Sequence, residues 1–145
     1  PSGFQLTYVL PSLDVPLTQP LGPAWARGRL LWNPELQFGL FSEPDVRPLI
    51  GVHPFQFRYE LGPRGRWSVY GVTGVGAIYS ELDSLETGTD GNLSIVLGTG
   101  VRYAATPRTA WVLEYRHVHL SNVGSDDKNN GIDSHAVLLG VAFRL

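Results

Sequence analysis

The chain has 145 residues, a formal net charge of −2 and no cysteine. This length predicts one domain covering residues 1–145, and the missing cysteines exclude disulfides and thiolate metal sites. The basic residues are spread along the chain and do not cluster, so the charge pattern predicts no nucleic acid partner. Because the chain lacks an initiator Met and a basic-then-apolar leader, we expect a mature or trimmed form.

Alternation with a period of two residues runs through most of the sequence and predicts strands. Seventeen Gly and eleven Pro also favour an all-β chain. Pro34 interrupts the alternation, which makes the second and third predicted strands the least regular. The strands are expected near residues 3–10, 23–32, 36–42, 48–60, 66–80, 93–104, 108–121 and 133–145.

The two faces of the predicted strands differ in character. In the last strand, odd-numbered residues from His135 to Leu145 form a large, mostly apolar face, and even-numbered residues from Ser134 to Arg144 form a smaller one. A large apolar face turned outward over a small, polar interior is typical of a transmembrane β-barrel. The alternative is a soluble sandwich or a lipid-binding, lipocalin-like barrel, in which the apolar face is the core.

The connections between the predicted strands alternate in length. Long outer loops and short inner turns on an even number of strands are typical of bacterial outer-membrane barrels. The sequence therefore predicts an eight-stranded antiparallel transmembrane β-barrel with both termini on the periplasmic side. By parity, Arg116 should point inward and pair with Glu114 or another interior charge. The long connections are 11–22, 81–92 and 122–132, and the short ones are 33–35, 61–65 and 105–107.

Three side chains able to perform ester hydrolysis flank the predicted loop 122–132. His119 and Ser121 are two residues apart in a strand, so they point to the same face. An imidazole so placed can take the hydroxyl proton, which makes serine a competent nucleophile. Asp133 opens the next antiparallel strand, where opposed residues lie about 5 Å apart, and its parity is also outward. A carboxylate there can fix the tautomer of the imidazole and stabilise its charged form.

A His-x-Ser pair alone is a weak motif, and the alternative is two surface residues without catalytic meaning. Three features favour a site here. The pair lies at a strand end, its polar residues share a lipid-facing side, and an acid is placed beside it. The sequence therefore predicts a site with a nucleophile, a base and an acid that opens onto lipid.

The run from His119 to Asn122 is followed by Asn129-Asn130-Gly131 and an acid. This order matches a His-x-Ser-Asn and Asn-x-Gly signature, and on it the last 35 or so residues resemble the lipid A 3-O-deacylase (PagL) family. It implies an eight-stranded barrel in the bacterial outer membrane that hydrolyses the ester at the 3 position of lipid A. The expected partners are lipid A or lipopolysaccharide as substrate and the outer-membrane lipids.

By motif position, His119 is the general base, Ser121 the nucleophile and Asp133 the acid, although family members commonly have Glu there. Asn129 and the backbone N–H near Asn122 match the positions that bind the oxyanion, while a plain turn is the alternative reading of Asn129. The residues require no metal or organic cofactor, and formation of a homodimer stays open. The competing function is a structural or adhesive small barrel without catalysis.

Overall fold

A computed structural model describes residues 5–43, 46–80, 90–122, 124 and 131–143. A 3₁₀ helix covers Ala24–Ala26. The strands of this part of the chain are β1 (Gln5–Val9), β2 (Val15–Pro16), β3 (Gly28–Trp32), β4 (Glu35–Glu43), β5 (Arg47–Leu61), β6 (Trp67–Ser80), β7 (Gly91–Ala104), β8 (Thr109–Ser121) and β9 (Ile132–Phe143).

Within the described residues, no helix is long and apolar enough to cross a bilayer.

All of these strands belong to one antiparallel sheet with the order β1-β4-β5-β6-β7-β8-β9. The second half of β5 pairs with β3 and its first half pairs with β4. In the same way, β1 pairs with β4 and β2 pairs with β3. Two strands are therefore interrupted: β1 continues as β2, and β3 continues as β4.

The prediction of a turn at 33–35 between strands 23–32 and 36–42 is wrong. Because β3 and β4 both pair antiparallel with β5, they run in the same direction. Pro34 has no N–H to donate, and the side chain of Asn33 fills the break by donating to Leu13 O at 3.0 Å and Asp14 Oδ1 at 2.9 Å. The described sheet consists of nine strand segments, seven of which follow one another across it, and the predicted count of eight strands stays a prediction.

The ends of the strands also differ from the prediction. One end of the sheet, here called the Ser121 end, contains the end of β8 and the starts of β1 and β9. The opposite Phe143 end contains the end of β9 and the strand ends joined by 17–27. The predicted grouping of 11–22 with the other long connections is therefore wrong. The predicted same-side placement of the termini concerns residues outside the described ranges; the first and last described strands have their outer limits at opposite ends of the sheet.

The sheet curls until its inner face encloses an interior. Arg116 on β8 donates to Glu35 on β4 at 2.6 and 3.0 Å, although three strands separate β4 from β8 in the sheet. Arg116 also donates to Glu114 at 2.7 Å, which confirms the predicted inward pairing. The Tyr70 hydroxyl donates to the other Glu114 oxygen at 2.7 Å. These side chains are almost completely buried, and Arg116 is only 1% exposed.

Further charges continue this interior towards the Phe143 end. Asp14 accepts hydrogen bonds from Arg58 at 2.9 Å and from Arg102 at 2.6 Å. Arg102 also lies 3.4 Å from Glu60. Buried charges are costly unless they are paired, and here each one has an opposite charge beside it. We call the paired set the inner network: Asp14, Glu35, Arg58, Glu60, Tyr70, Arg102, Glu114 and Arg116.

The apolar residues divide between a small inner cluster and an extensive outer face. At the Ser121 end of the interior, Phe41, Leu49 and Ile78 form a buried cluster against which Leu6 and Leu120 pack. The predicted orientation of the faces is confirmed, because most large apolar side chains point outward. The soluble alternative placed these residues in a core, whereas in this sheet they are exposed. Among the outward residues are Ile50, Phe55, Leu97, Trp111, Leu113, Val137, Leu139 and Val141.

Candidate active site

The three candidate catalytic residues lie on the outer face at the Ser121 end of the sheet. In the register of β8 and β9, His119 is directly opposite Asp133. Leu120 packs against the inner cluster. Its neighbours His119 and Ser121 therefore project outward, because successive side chains in a strand alternate between faces.

A hydrogen bond joins the imidazole to the carboxylate. His119 Nδ1 lies 2.9 Å from Asp133 Oδ1. In this arrangement Nδ1 carries the proton that it donates to the carboxylate, so the neutral ring has an unprotonated Nε2. Asp133 is exposed at the start of β9, and the hydrogen bond from His119 holds the pKa of its carboxyl below the ordinary value. An ionised acid and an imidazole with a free Nε2 are the partners that a serine nucleophile needs.

Two further histidines extend this cluster along the outer face of β8 and β9, away from the Ser121 end. His117 Nε2 lies 3.3 Å from the same oxygen of Asp133 that His119 contacts. His135 is directly opposite His117, and their ring centroids are 5.0 Å apart. His135 Nδ1 in turn lies 2.7 Å from the Tyr115 hydroxyl. Side-chain contacts thus run along the outer face from Tyr115 through the two histidines and Asp133 to His119.

Gly131 makes room for the His119 imidazole just before β9. Its φ of +69° lies in the left-handed region, which L side chains rarely adopt. A Cβ atom at this position would lie 2.9 Å from His119 Cε1 and 3.4 Å from His119 Nε2. Since Nε2 is the atom predicted to face the serine hydroxyl, a side chain at position 131 would crowd the edge of the ring that the prediction makes reactive.

Replacing Gly131 with Ala is expected to lower the rate of ester hydrolysis about tenfold to a hundredfold. The added methyl group displaces the ring, and a shift of about 1 Å at a catalytic group costs about that much. The measurement is the rate of fatty acid release by folded protein in detergent. Gly65 offers a matched control, because its φ is also positive and no heavy atom lies within 4 Å of its Cβ position. Equal losses of activity in G131A and G65A would contradict the steric explanation.

Of the two candidate oxyanion residues, Asn122 lies within the described part of the chain. The Asn122 side chain is buried, and its Oδ1 accepts a hydrogen bond from the Gly124 N–H at 2.8 Å. This contact holds the start of the connection after β8, and the role of a backbone N–H near Asn122 in binding the oxyanion stays a prediction. Asn129 lies outside the described residues.

A second histidine and serine pair, to which the sequence assigned no role, lies in the interior. His53 Nε2 and Ser94 Oγ are 3.0 Å apart, and both residues are completely buried. His53 Nδ1 has no hydrogen-bond partner among the described residues, so no acid orients this ring. Gly76 leaves the space that the ring occupies, because a Cβ atom there would lie 2.5 Å from His53 Cδ2. We interpret this pair as part of the interior packing.

In the part of the chain that the structure describes, no group of three or more His, Asp or Glu side chains is arranged to hold a metal ion.

Comparisons with known proteins identify the family and the fold. A family model described as "Lipid A 3-O-deacylase (PagL)" matches residues 20–142. A search of curated proteins found no significant match. Among solved structures, one titled "Crystal structure of the outer membrane enzyme PagL" has a TM-score of 0.70 and 17% sequence identity, and the match covers 94% of this chain and 90% of that one. At this identity the structural likeness shows a common fold. Because the family model covers most of the sequence, the chain belongs to the lipid A 3-O-deacylase (PagL) family.

Proposed function

We propose that this chain is a serine esterase of the bacterial outer membrane that removes the 3-position hydroxyacyl chain of lipid A. Ser121 is the nucleophile, His119 the general base and Asp133 the acid. The observation that carries the proposal is the 2.9 Å contact between His119 and Asp133 on the outward face, in a chain that belongs to the lipid A 3-O-deacylase family. Lipid A or lipopolysaccharide is the substrate.

The reaction proceeds through an acyl-enzyme. Ser121 Oγ attacks the ester carbonyl carbon while His119 Nε2 takes the hydroxyl proton. Asp133 stabilises the imidazolium, and the negative charge on the carbonyl oxygen is met by the Asn129 amide and the backbone N–H near Asn122. His119 then gives the proton to the departing sugar oxygen. A water molecule activated by His119 hydrolyses the acyl-enzyme and releases a 3-hydroxy fatty acid.

The distribution of side chains supports insertion into a membrane. The outer face is apolar, the interior holds the inner network, and strands such as β6 and β7 have 14 residues each. A strand of about 9–11 residues suffices to cross a bilayer when tilted. We therefore infer one barrel domain, with the Ser121 end at the outer surface, where the ester of lipid A is within reach of Ser121.

Mass spectrometry of lipid A after incubation with detergent-folded protein tests the proposed function. The expected result is loss of one 3-hydroxyacyl group, with the free 3-hydroxy fatty acid recovered. Lipid A that already lacks its 3-position chain serves as the control substrate and should remain unchanged. No loss of mass from intact lipid A, with protein shown to be folded, would contradict the proposal and leave a structural barrel.

Replacing Asp133 with Asn is expected to lower the rate of hydrolysis by roughly 10²- to 10⁴-fold, because an amide can hold His119 in the wrong tautomer. D133E keeps the charge and should retain most of the activity. Because the pKa of Asp133 is lowered, its carboxylate is already ionised above the ordinary carboxyl pKa of about 4. Acidification should therefore remove the contribution of the Asp133 carboxylate to the rate only below about pH 4. A pH profile of the three proteins checks both points, and equal rates for D133N and D133E would contradict the role of the charge.

A further inference from the structure

The carboxylate of Asp133 is unusually free for a group that must orient a catalytic base. Its side chain is 63% exposed. A short carboxylate on a strand surface can rotate about two side-chain torsions, and holding it in one orientation costs conformational entropy. One hydrogen bond to His119 does not by itself select a single orientation, because either oxygen could accept it.

His117 makes a second contact with the same oxygen. Its Nε2 lies 3.3 Å from Asp133 Oδ1, while His119 Nδ1 approaches that oxygen at 2.9 Å. The other ring nitrogen of His117, Nδ1, is buried and has no hydrogen-bond partner among the described residues. The nitrogen of His117 nearest the carboxylate is therefore Nε2, which can carry the ring proton in the neutral form and carries one in the charged form.

We propose that His117 is a positioning residue that locks the Asp133 carboxylate in the orientation that His119 requires. This proposal rests on the proposed esterase function. His117 contacts neither Ser121 nor the reacting ester in the mechanism; it acts through Asp133. A hydrogen bond from His119 and a 3.3 Å contact from His117, two residues apart on β8, converge on a single oxygen, and this convergence fixes the torsions of the acid.

The chain offers a matched set of variants to test this role. H117L removes the donor, whereas H117Q restores an amide N–H at a similar reach. H135L removes the directly opposed imidazole, whose hydrogen bond goes to Tyr115 and not to the carboxylate. We expect H117L to lower kcat about tenfold with little change in KM, because the polar contact that holds the carboxylate is lost. H117Q should recover most of this loss, and H135L should remain close to the unchanged protein.

A second readout is independent of activity. Carbon-13 NMR of the Asp133 carboxyl gives its pKa in each folded variant. His119 lowers this pKa most, and the charges of His117 and His135 lower it further. Removal of His117 should therefore raise the pKa of Asp133 and increase the motional averaging of its side chain. In H117Q, the averaging should return towards that of the unchanged protein.

The outcomes separate the two proposals. An unchanged Asp133 titration and mobility in H117L would overturn the positioning role, whatever the kinetics show. H117Q no better than H117L in kcat would also overturn it, because packing alone would then explain the loss. If the unchanged protein does not hydrolyse lipid A, the proposed function fails, and the NMR comparison still decides whether His117 fixes the carboxylate.

Discussion

Replacing Ser121 with Ala is expected to reduce the release of 3-hydroxy fatty acid from lipid A by about 10⁴-fold or more. The variant keeps the His119–Asp133 hydrogen bond but has no hydroxyl to attack the ester, and loss of a triad nucleophile typically removes almost all of the catalysed rate. Mass spectrometry of lipid A over a time course, with protein folded in one detergent, measures the effect.

Ser134 supplies the control for this experiment. It is adjacent to Asp133, but its side chain faces inward, with Oγ 3.5 Å from Val118 O. S134A should therefore hydrolyse lipid A at nearly the original rate. If S121A retained the activity of S134A, another residue would be the nucleophile, although the deacylase function would stand.

Replacing Arg116 with Ala is expected to lower the free energy of unfolding by about 3–5 kcal/mol. Its guanidinium lies between Glu35 and Glu114, and all three side chains are at most 4% exposed. Removal of the cation leaves two buried carboxylates facing each other, and an uncompensated buried charge typically costs this much. Urea unfolding in detergent micelles or lipid vesicles, followed by tryptophan fluorescence, measures the change.

Two variants make the stability experiment specific. Arg66 is exposed and its only side-chain contact among those described is a 3.4 Å hydrogen bond to Tyr103, so R66A should change the free energy of unfolding by less than about 0.5 kcal/mol. R116K keeps the charge but loses the planar group that contacts both carboxylates, so an intermediate loss is expected. Equal stability of R116A and R66A would show that the inner network contributes little.

The strands with regular alternation were predictable from the sequence. The predicted 66–80, 93–104 and 108–121 lie within two residues of the limits of β6, β7 and β8. Each of these strands keeps the alternation of its two faces without a shift, so a period of two residues identifies both its limits and its orientation. The parity of His119, Ser121 and Asp133 follows from the same alternation.

The first third of the chain was predicted less well, for two physical reasons. β5 is long enough to pair with two shorter strands in line, and nothing local in the sequence reveals that Pro34 interrupts a strand instead of closing a turn. The pairing of β5 with β6 also shifts register between Val52 and Phe55, so the inward residues change from odd to even numbers. A single alternation pattern cannot describe such a strand.

The candidate site was only partly predictable. Sequence spacing places His119, Ser121 and Asp133 on one face, but it does not reveal that His117 shares the carboxylate, because that depends on side-chain torsions. The steric requirement at Gly131 is likewise visible only once the ring of His119 is placed. In the interior, Asp14 comes from a segment that the sequence left as an extended loop, and its contact with Arg102 joins residues 88 positions apart.

The outward position of the cluster has a consequence for kinetics. On the proposed function, a serine at one end of an outer wall that carries exposed Val137 and Leu139 meets lipids that diffuse sideways in the same leaflet. On the proposed function, the enzyme need not extract its substrate into water, and encounters occur in two dimensions. The rate should then follow the mole fraction of lipid A in the surface and not its bulk concentration. Diluting lipid A with inert detergent at constant total lipid A should slow the reaction.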